Sequence, residues 1–492
     1  MKFYSTRDQK ENRFDSAQVI KQGLAKDGGL FVPESIPKID KSDIEKLCGM
    51  SYPERAAFVL SKFLTDYTYD ELLNDCKEAY SENSFVGGAA PLKKVNDDIF
   101  SLELWHGPTA AFKDMALQIM PRLLSRALVK TGESNTALIL VATSGDTGKA
   151  ALEGYKDIER IKIIVFYPVD GVSEVQKLQM ATQTGNNVNV CAIKGNFDDA
   201  QTGVKKIFSD DCAKAKLLEN SYVLSSANSI NWGRLAPQIV YYVSAYCDLL
   251  NAKEISYGET VNVCVPTGNF GNIFAAYLAK QMGVPLNKFV CASNENNVLT
   301  EFLKTGTYDR NRTFHLTMSP SMDILISSNL ERLLYFCSDA KQTAEYMSML
   351  NKEGKYTVSD EIKTKIDGNF VGYYADEKET AETLKRFYTE YGYLADTHTS
   401  VALNCAEKFI SENNDGKKMI VASTASPYKF AADVYKSITD KNASAGTAAL
   451  DDLSALTGTE ITLPLRDLAS KEVRFKKVIE ASDMLSEVYN FM

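Results

Sequence analysis

The feature that most constrains the fold is a short apolar run followed by a loop of small polar residues and then a helical pattern. Runs of strand length at 137–142, 162–166, 261–265 and 419–422 are almost entirely apolar. Strands that are apolar at nearly every position must be buried on both faces, which requires parallel strands covered by helices. The sequence therefore predicts an α/β fold.

The chain is long enough for several domains, because 492 residues at about 150 residues per domain suggest two to four. Residues 1–92 are predicted to form a mostly helical N-terminal domain, with helices at 16–26, 52–65 and 69–80. Residues 93–435 carry the alternating strands and helices. Within them, the charged segment 330–390 has the pattern of a helical insertion. Residues 436–492 form a C-terminal segment.

Composition excludes several classes of function. The formal net charge of -9 argues against a nucleic-acid or anionic-membrane partner, although a local site can still attract anions. No run of 18 apolar residues and no secretory pattern is present, so we expect a cytoplasmic protein without a membrane span. Nine scattered cysteines without CxxC spacing are typical of reduced core thiols. The three histidines have no metal-ligand spacing, and no metal site is expected.

The loop at 266–272 is a candidate anion site, because ligands of such folds bind at the carboxyl ends of strands. Gly268 and Gly271 allow the backbone to approach a ligand, and the following helix offers free N–H groups. The loop contains no lysine, so an anion there is expected to bind backbone amides. A tight turn without any ligand fits the same residues.

A second loop, at 143–148, has similar chemistry. Its amide-rich turn fits a small anion such as a carboxylate, with Ser144, Gly145, Asp146 and Thr147 as the candidates. A nucleotide P-loop is excluded, because the glycine spacing is too short and alanine follows Gly148-Lys149.

Lys113 follows the turn at 107–109 and opens a helix predicted over 114–128. An ammonium among apolar neighbours is costly to bury. Most lysines in such a place extend to solvent, and spacing alone favours that interpretation. The other interpretation is a desolvated amine of lowered pKa, which is suited to forming a Schiff base.

Blocks of sequence along the chain resemble the threonine synthase family, in the branch found in many bacteria and fungi. They occur in family order and cover almost the whole chain, from near residue 3 to about 435. The blocks are residues 23–30, 106–114, 142–148, 228–232, 268–272 and 319–325.

This resemblance implies the fold type of tryptophan synthase β subunits, with two parallel-sheet αβ domains around pyridoxal 5'-phosphate (PLP). Lys113 would hold the cofactor as a Schiff base. Thr424 would face the pyridine nitrogen, and a hydroxyl there leaves that nitrogen largely unprotonated. The cofactor phosphate would bind five residues of the first loop, namely Gly268, Asn269, Phe270, Gly271 and Asn272.

The implied reaction converts O-phospho-L-homoserine and water to L-threonine and phosphate, the last step of threonine biosynthesis. Lys113 would move protons at Cα and Cβ. The loop at 144–147 would hold the α-carboxylate and the 3′ edge of the cofactor, with Asp146 acting through its backbone or a neighbouring cation. Arg234 is the candidate for the substrate phosphate; an ordinary helix-surface ion pair is its alternative.

The chain departs from the family pattern at Ser426, where histidine is common, so any role for a histidine at that position is in doubt. Two rival functions share most of these residues. One is a related PLP-dependent phospho-lyase or a serine/threonine deaminase. The other is an inactive ligand-binding relative, against which the intact Lys113, first loop and Thr424 argue. The expected assembly is a monomer or small homo-oligomer.

Overall fold

The computed structural model describes residues 1–9, 12–143, 145–170 and 172–492. In these residues the helices are α1 (Ser16–Gln22), α2 (Lys41–Cys48), α3 (Tyr52–Phe63), α4 (Tyr69–Ala79), α5 (Asp114–Leu117), α6 (Met120–Lys130), α7 (Asp146–Tyr155), α8 (Glu174–Ala181), α9 (Phe197–Ser209), α10 (Asp211–Glu219), α11 (Trp232–Asn251), α12 (Gly271–Met282), α13 (Val298–Thr305), α14 (Leu330–Cys337), α15 (Ala340–Glu353), α16 (Asp360–Asp367), α17 (Glu377–Tyr391), α18 (Thr397–Asn413), α19 (Ala431–Thr439), α20 (Ala448–Thr457), α21 (Leu463–Arg466) and α22 (Met484–Phe491).

The strands are β1 (Phe3–Ser5), β2 (Phe31–Pro33), β3 (Leu92–Lys94), β4 (Ile99–Glu103), β5 (Thr136–Ala142), β6 (Ile161–Pro168), β7 (Val188–Lys194), β8 (Tyr222–Ser225), β9 (Val261–Pro266), β10 (Leu286–Ser293), β11 (Thr307–Asp309), β12 (Lys355–Thr357), β13 (Phe370–Tyr374), β14 (Met419–Ser423) and β15 (Val478–Glu480). Short 3₁₀ turns include Pro320–Met322 and Pro427–Phe430.

The larger sheet has six strands in the order β13-β10-β9-β14-β4-β3. All neighbouring pairs are parallel except β3 with β4. The runs predicted at 261–265 and 419–422 are its buried strands β9 and β14. Because β4, β14 and β9 are adjacent and parallel, the loops at their carboxyl ends lie side by side.

The second sheet has five parallel strands in the order β15-β7-β6-β5-β8. It contains the runs predicted at 137–142 and 162–166 as β5 and β6. Two parallel sheets with helices between and around them confirm the predicted α/β fold with two αβ units. The carboxyl end of β5 carries the loop at 143–145.

The helix predicted at 114–128 is divided in two. Helix α5 ends at Leu117 and α6 starts at Met120, with Pro121 in its first turn. Proline has no N–H to donate to the preceding turn, so it favours the start of a helix over its interior. The break leaves Lys113 at the start of the short helix α5.

The N-terminal region is mostly helical, as predicted, but the helix expected at 16–26 ends at Gln22. Gly23 takes a φ of 74°, a left-handed conformation that suits glycine and ends α1. The segment 330–390 is mainly helical but also contributes β13, the edge strand of the larger sheet. That strand is only five residues long, which is why helical periodicity dominates the segment.

Within the described residues, the structure contains no helix of the length and apolarity needed to cross a membrane. The same residues contain no group of three or more potential metal ligands. The cysteines are unpaired and mostly buried, but Cys212 on α10 is exposed, so it is not a core thiol.

Candidate active site

Two hydrogen bonds join the loop after β4 to the loop after β14. The Phe112 N–H donates to the carbonyl oxygen of Thr424 at 2.8 Å, and the Ser426 N–H donates to that of Ala110 at 3.1 Å. These contacts form a short antiparallel bridge between segments that are more than 300 residues apart in sequence. They place Lys113 beside the end of β14.

The side chain of Lys113 is nearly buried, with 12% of its surface exposed. Its Nζ lies 3.4 Å from Ser321 Oγ and 3.6 Å from Asp146 Oδ2. Burial lowers the pKa of Lys113, and the charges of Lys429 and Arg234 lower it further, whereas Asp146 opposes the shift. Lys113 therefore has the properties of a desolvated, nucleophilic amine and not those of a solvent-exposed lysine.

Asp146 begins α7 and its side chain is 4% exposed. Its Oδ1 accepts from Lys429 Nζ at 2.7 Å and from Gln176 Nε2 at 2.8 Å, while Oδ2 faces Lys113 and the Ser321 hydroxyl. Burial alone would raise the pKa of Asp146, but the two lysines outweigh it and hold that pKa well below its usual range. The Asp146 side chain is thus a carboxylate anion, and Lys429 is the cation that neutralises it.

The rest of the loop after β5 is arranged around Thr143. Its hydroxyl oxygen accepts from the N–H groups of Gly145 and Gly148, at 3.0 and 2.9 Å. No hydrogen bond among the described residues uses the N–H groups of Asp146 and Thr147, so both can donate to an anion. Ser144, the remaining candidate of this loop, lies outside the described residues.

Lys149 points away from this turn. Its Nζ pairs with Glu153 at 2.9 Å and also bonds Gln183. A P-loop lysine must instead reach the phosphates that its loop encloses. The geometry supports the exclusion of a nucleotide-binding loop.

The loop at 268–272 turns its carbonyl oxygens to one side. Ser327 Oγ donates to the Gly268 carbonyl at 2.7 Å, and the Asn329 N–H donates to that of Asn269 at 3.0 Å. No hydrogen bond between described residues uses the N–H groups from 268 to 272. Phe270 has a φ of 61°, a left-handed conformation at the residue that precedes α12, and successive backbone N–H groups in such turns can bind an anion.

Asn272 lies in the first turn of α12 and is 8% exposed. Its Oδ1 accepts from the hydroxyl of Tyr241 at 2.7 Å and also from that of Tyr242. Its Nδ2 is buried and has no hydrogen-bond partner among the described residues. A buried amide donor without a partner costs about 1–3 kcal/mol, so this group is suited to a ligand acceptor.

Arg234 lies in the first turn of α11 and is only 3% exposed. It donates to the carbonyl of Ala227, but its buried Nε has no partner and no carboxylate pairs with it in the described part of the chain. Burial lowers its pKa to about 10. The surface ion pair considered as an alternative is therefore wrong, and Arg234 is a buried cation available to an anion.

Two further residues of the site, Lys429 and His398, were not predicted from the sequence. Lys429 was not singled out because it lies five residues beyond Thr424, in a 3₁₀ turn. The other is His398, whose Nε2 accepts the Ser321 N–H at 3.1 Å while its Nδ1 bonds Asp396 at 2.9 Å. The Asp396–His398 pair therefore fixes the backbone of Ser321, whose hydroxyl contacts Lys113. The sequence signal was the short spacing of Asp396 and His398 at the start of α18.

Comparisons with known proteins identify the family. The description "Threonine synthase N terminus" matches residues 2–80, "Pyridoxal-phosphate dependent enzyme" matches 87–424, and "Threonine synthase, C-terminal" matches 399–488. The threonine synthase of Pseudomonas aeruginosa is 38% identical over 442 residues, which are 89% of this chain and 90% of that protein. The chain belongs to the threonine synthase family of PLP-dependent enzymes.

Other relatives show how far the similarity extends. Human "Threonine synthase-like 1" is 41% identical over 438 residues, or 87% of this chain, but the chain spans only 58% of that protein's length. The crystal structure of PLP-bound threonine synthase from Brucella melitensis has a TM-score of 0.88 at 35% identity, covering 100% of this chain and 99% of the other. The yeast threonine synthase structure has a TM-score of 0.88 at 31% identity, covering 99% and 98%.

The residues present fit the PLP cofactor of the threonine synthase family. The unpaired amides at 268–272 and the buried, unpartnered Asn272 Nδ2 are hydrogen-bond donors of the kind that a phosphate requires. A Cβ on Gly268 would lie 2.8 Å from the Ser321 carbonyl oxygen, so only glycine fits this approach. The Thr424 hydroxyl has no hydrogen bond within the described residues, which leaves it available to a ring nitrogen.

Ser426, where the threonine synthase family commonly has histidine, has a local role. Its side chain accepts the Tyr428 N–H at 3.3 Å and lies 3.2 Å from Thr462 Oγ1. It therefore caps the 3₁₀ turn that carries Lys429. His106 is bonded to Glu103 and to the carbonyl of Val86, and these bonds anchor the turn that it begins.

Proposed function

We propose that this protein is a threonine synthase, which converts O-phospho-L-homoserine and water to L-threonine and phosphate. The observation that carries the proposal is the buried charge of Arg234, which has no carboxylate partner among the described residues and lowers the pKa of Lys113. Family membership accounts for Lys113 and the cofactor loop, which the rival PLP enzymes share. A phosphorylated substrate explains why a buried guanidinium without a counterion lies beside them.

The site residues then divide the work. The amides at 268–272 and Asn272 hold the cofactor phosphate, and the Thr424 hydroxyl bonds the ring nitrogen. Bound there, the cofactor supplies a ring that withdraws electrons from the substrate's Cα. The N–H groups of Asp146 and Thr147, at the start of α7, receive the substrate's α-carboxylate.

Lys113 moves protons. Its lowered pKa increases the fraction of the amine that is neutral, and a neutral Nζ can take the proton from the substrate's Cα. The Asp146 carboxylate, 3.6 Å away, stabilises the ammonium that results. Arg234 holds the phosphate ester as it leaves, and the burial of the site limits the entry of bulk water.

Steady-state turnover tests this proposal. We expect the purified protein with PLP to release phosphate and threonine from O-phospho-L-homoserine in equal amounts, and to turn over O-phosphothreonine and threonine far more slowly. Lys113→Ala should abolish turnover, while Lys288→Ala on β10, outside the site, should leave it unchanged. Release of a keto acid and ammonia without threonine would identify a deaminase or phospho-lyase instead.

The coarser organisation supports three further parts of the proposal. We infer an N-terminal domain at 1–92, a PLP-binding region of two subdomains at 93–435 and a C-terminal segment at 436–492; the family matches that end at 80 and begin at 87 support the first boundary. The acidic charge and free thiols support a cytoplasmic enzyme with a small-molecule substrate. Light scattering on the purified protein distinguishes the monomer from a small homo-oligomer.

A further inference from the structure

Lys429 is fully buried, whereas most lysines extend their ammonium group to solvent. Its side chain is 0% exposed. The ammonium makes two contacts, one at 2.7 Å with Asp146 Oδ1 and one at 3.0 Å with the carbonyl oxygen of Thr109. A fully buried lysine is rare and costly unless its charge is needed where it lies.

These contacts join three loops that come from different strands. Lys429 itself follows β14, Thr109 belongs to the turn after β4 that leads to Lys113, and Asp146 follows β5 of the other sheet. The Asp146 carboxylate lies between two ammonium groups, because its other oxygen is 3.6 Å from Lys113 Nζ. Lys429 therefore acts on Lys113 through a shared anion.

We propose that Lys429 is a positioning residue: its ammonium holds the Asp146 carboxylate in place beside Lys113 and balances its charge, so that the Lys113 amine is not trapped as an ammonium. Asp146 without Lys429 would direct its whole charge at Lys113. With Lys429 present, the Asp146 carboxylate is already paired with one ammonium, so it attracts a proton to Lys113 less strongly. It can still stabilise the ammonium form of Lys113 when the reaction delivers a proton. The proposal rests on the proposed function only in taking Lys113 as the cofactor lysine.

The charged groups that face Lys113 come from four directions. Asp146 on α7 favours the ammonium form, whereas Lys429 and Arg234 on α11 disfavour it. The uncharged Ser321 hydroxyl contacts both Lys113 Nζ and Asp146 Oδ2, and His398 on α18 is bonded to the Ser321 backbone. The buried Asp114, the next residue in the chain, accepts from Thr109 and thereby faces the turn that Lys429 also bonds.

The test measures the proton affinity of Lys113 and not the activity of the enzyme. Only a neutral amine captures PLP, so the capture rate of cofactor-free protein, followed by absorbance against pH, gives the midpoint for Lys113. Lys429→Met should raise this midpoint by about one unit or more, because Asp146 then faces Lys113 alone. Asp146→Asn should lower it, because the charge of Lys429 is then unbalanced.

The double variant Lys429→Met with Asp146→Asn removes two charges of opposite sign, so their effects on Lys113 should largely cancel. Its midpoint should lie within about half a pKa unit of the wild type, where one unit is a tenfold change in proton affinity. Lys149→Met is the matched control. Lys149 is another nearly buried lysine on α7, paired with Glu153, and its charge is not among those that shift Lys113. Its midpoint should equal that of the wild type.

A structural ion pair predicts a different pattern. If Lys429→Met and Lys149→Met both lower thermal stability and neither moves the midpoint, the proposal is overturned. If Lys429→Met does not fold, Asp146→Asn and the double variant decide, because an unchanged midpoint in Asp146→Asn overturns the proposal equally. Capture needs no substrate, so a failure to convert O-phospho-L-homoserine would contradict the proposed function and leave this result standing.

Discussion

Replacing Arg234 by methionine should cost the protein little stability and most of its substrate affinity. Burial lowers the pKa of Arg234 to about 10, which means that the folded protein disfavours the charged guanidinium. At about 1.4 kcal/mol per pKa unit, the cost of the charge is on the order of 3 kcal/mol. The variant recovers that cost and loses the hydrogen bond to the carbonyl of Ala227, worth about 1.5–3 kcal/mol. The net change in unfolding free energy should stay within about 1.5 kcal/mol.

Arg55→Met is the matched control, since Arg55 is also buried but fully paired. It donates to Asp248 Oδ1 and Ser244 Oγ, both at 2.7 Å, and to the carbonyl of Leu47 at 2.8 Å. Losing hydrogen bonds from a charged group costs about 1.5–3 kcal/mol each, and Arg55→Met loses three of them. We therefore expect urea unfolding of the two holoproteins in phosphate-free buffer to separate them clearly.

Inorganic phosphate provides the second measurement. With the cofactor loop filled by PLP, phosphate should stabilise the wild type and Arg55→Met by about 2.7 kcal/mol at a hundred times its dissociation constant, and Arg234→Met much less. The KM for O-phospho-L-homoserine should rise about 10- to 100-fold in Arg234→Met. A loss of stability equal to that of Arg55→Met, or an undiminished response to phosphate, would refute the assignment of Arg234 as an anion site.

Two further substitutions test the surroundings of Lys113. Gly268→Ala places a Cβ 2.8 Å from the Ser321 carbonyl oxygen, so we expect its PLP affinity in a fluorescence titration to fall about tenfold or more. Gly49→Ala is the control, because its Cβ would lie 3.6 Å from its nearest neighbour, and it should bind PLP normally. Equal affinities of the two variants would contradict the close approach. Burial raises the pKa of Asp114 to about 6. Between about pH 4 and 6 the folded wild type therefore keeps a proton that the unfolded chain releases. As the pH rises through this range, its free energy of unfolding should fall by about 3 kcal/mol relative to that of Asp114→Asn. Parallel stability curves for the two proteins over this pH range would show that Asp114 titrates normally.

The sequence predicts the parts of this site that are local in the chain. Two glycines within 268–272, directly before an apolar helix, indicate a loop with free amides, and no hydrogen bond between described residues uses those amides. The apolar runs predict β9 and β14 closely, because burial on both faces leaves only one pattern. The role of Lys113 could be predicted only from the family resemblance, because nothing within ten residues of it indicates whether its side chain is buried.

The remaining parts depend on contacts that no local pattern encodes. The Lys429–Asp146 pair joins loops from two different sheets, 283 residues apart in the chain. The contact of His398 with Ser321 joins α18 to a 3₁₀ turn 77 residues earlier. Arg234 stands in a helix whose sequence permits a surface position, and only the packing of α11 against α3, α5 and α12 buries it. Such features follow from the topology of the sheets, which the sequence indicates only as a fold class.

The charges around Lys113 explain why the site should favour anions in a protein whose net charge is -9. Lys429 offsets Asp146, which leaves Arg234 without a paired carboxylate among the described residues. A buried guanidinium without a counterion is costly, and a bound phosphate or carboxylate would reduce that cost. Because buried charges are screened less than exposed ones, this preference acts at short range and is little opposed by the acidic surface. The two proposals therefore give the paired lysine and the unpaired arginine different roles: the first would adjust the proton on Lys113, and the second would bind the substrate phosphate.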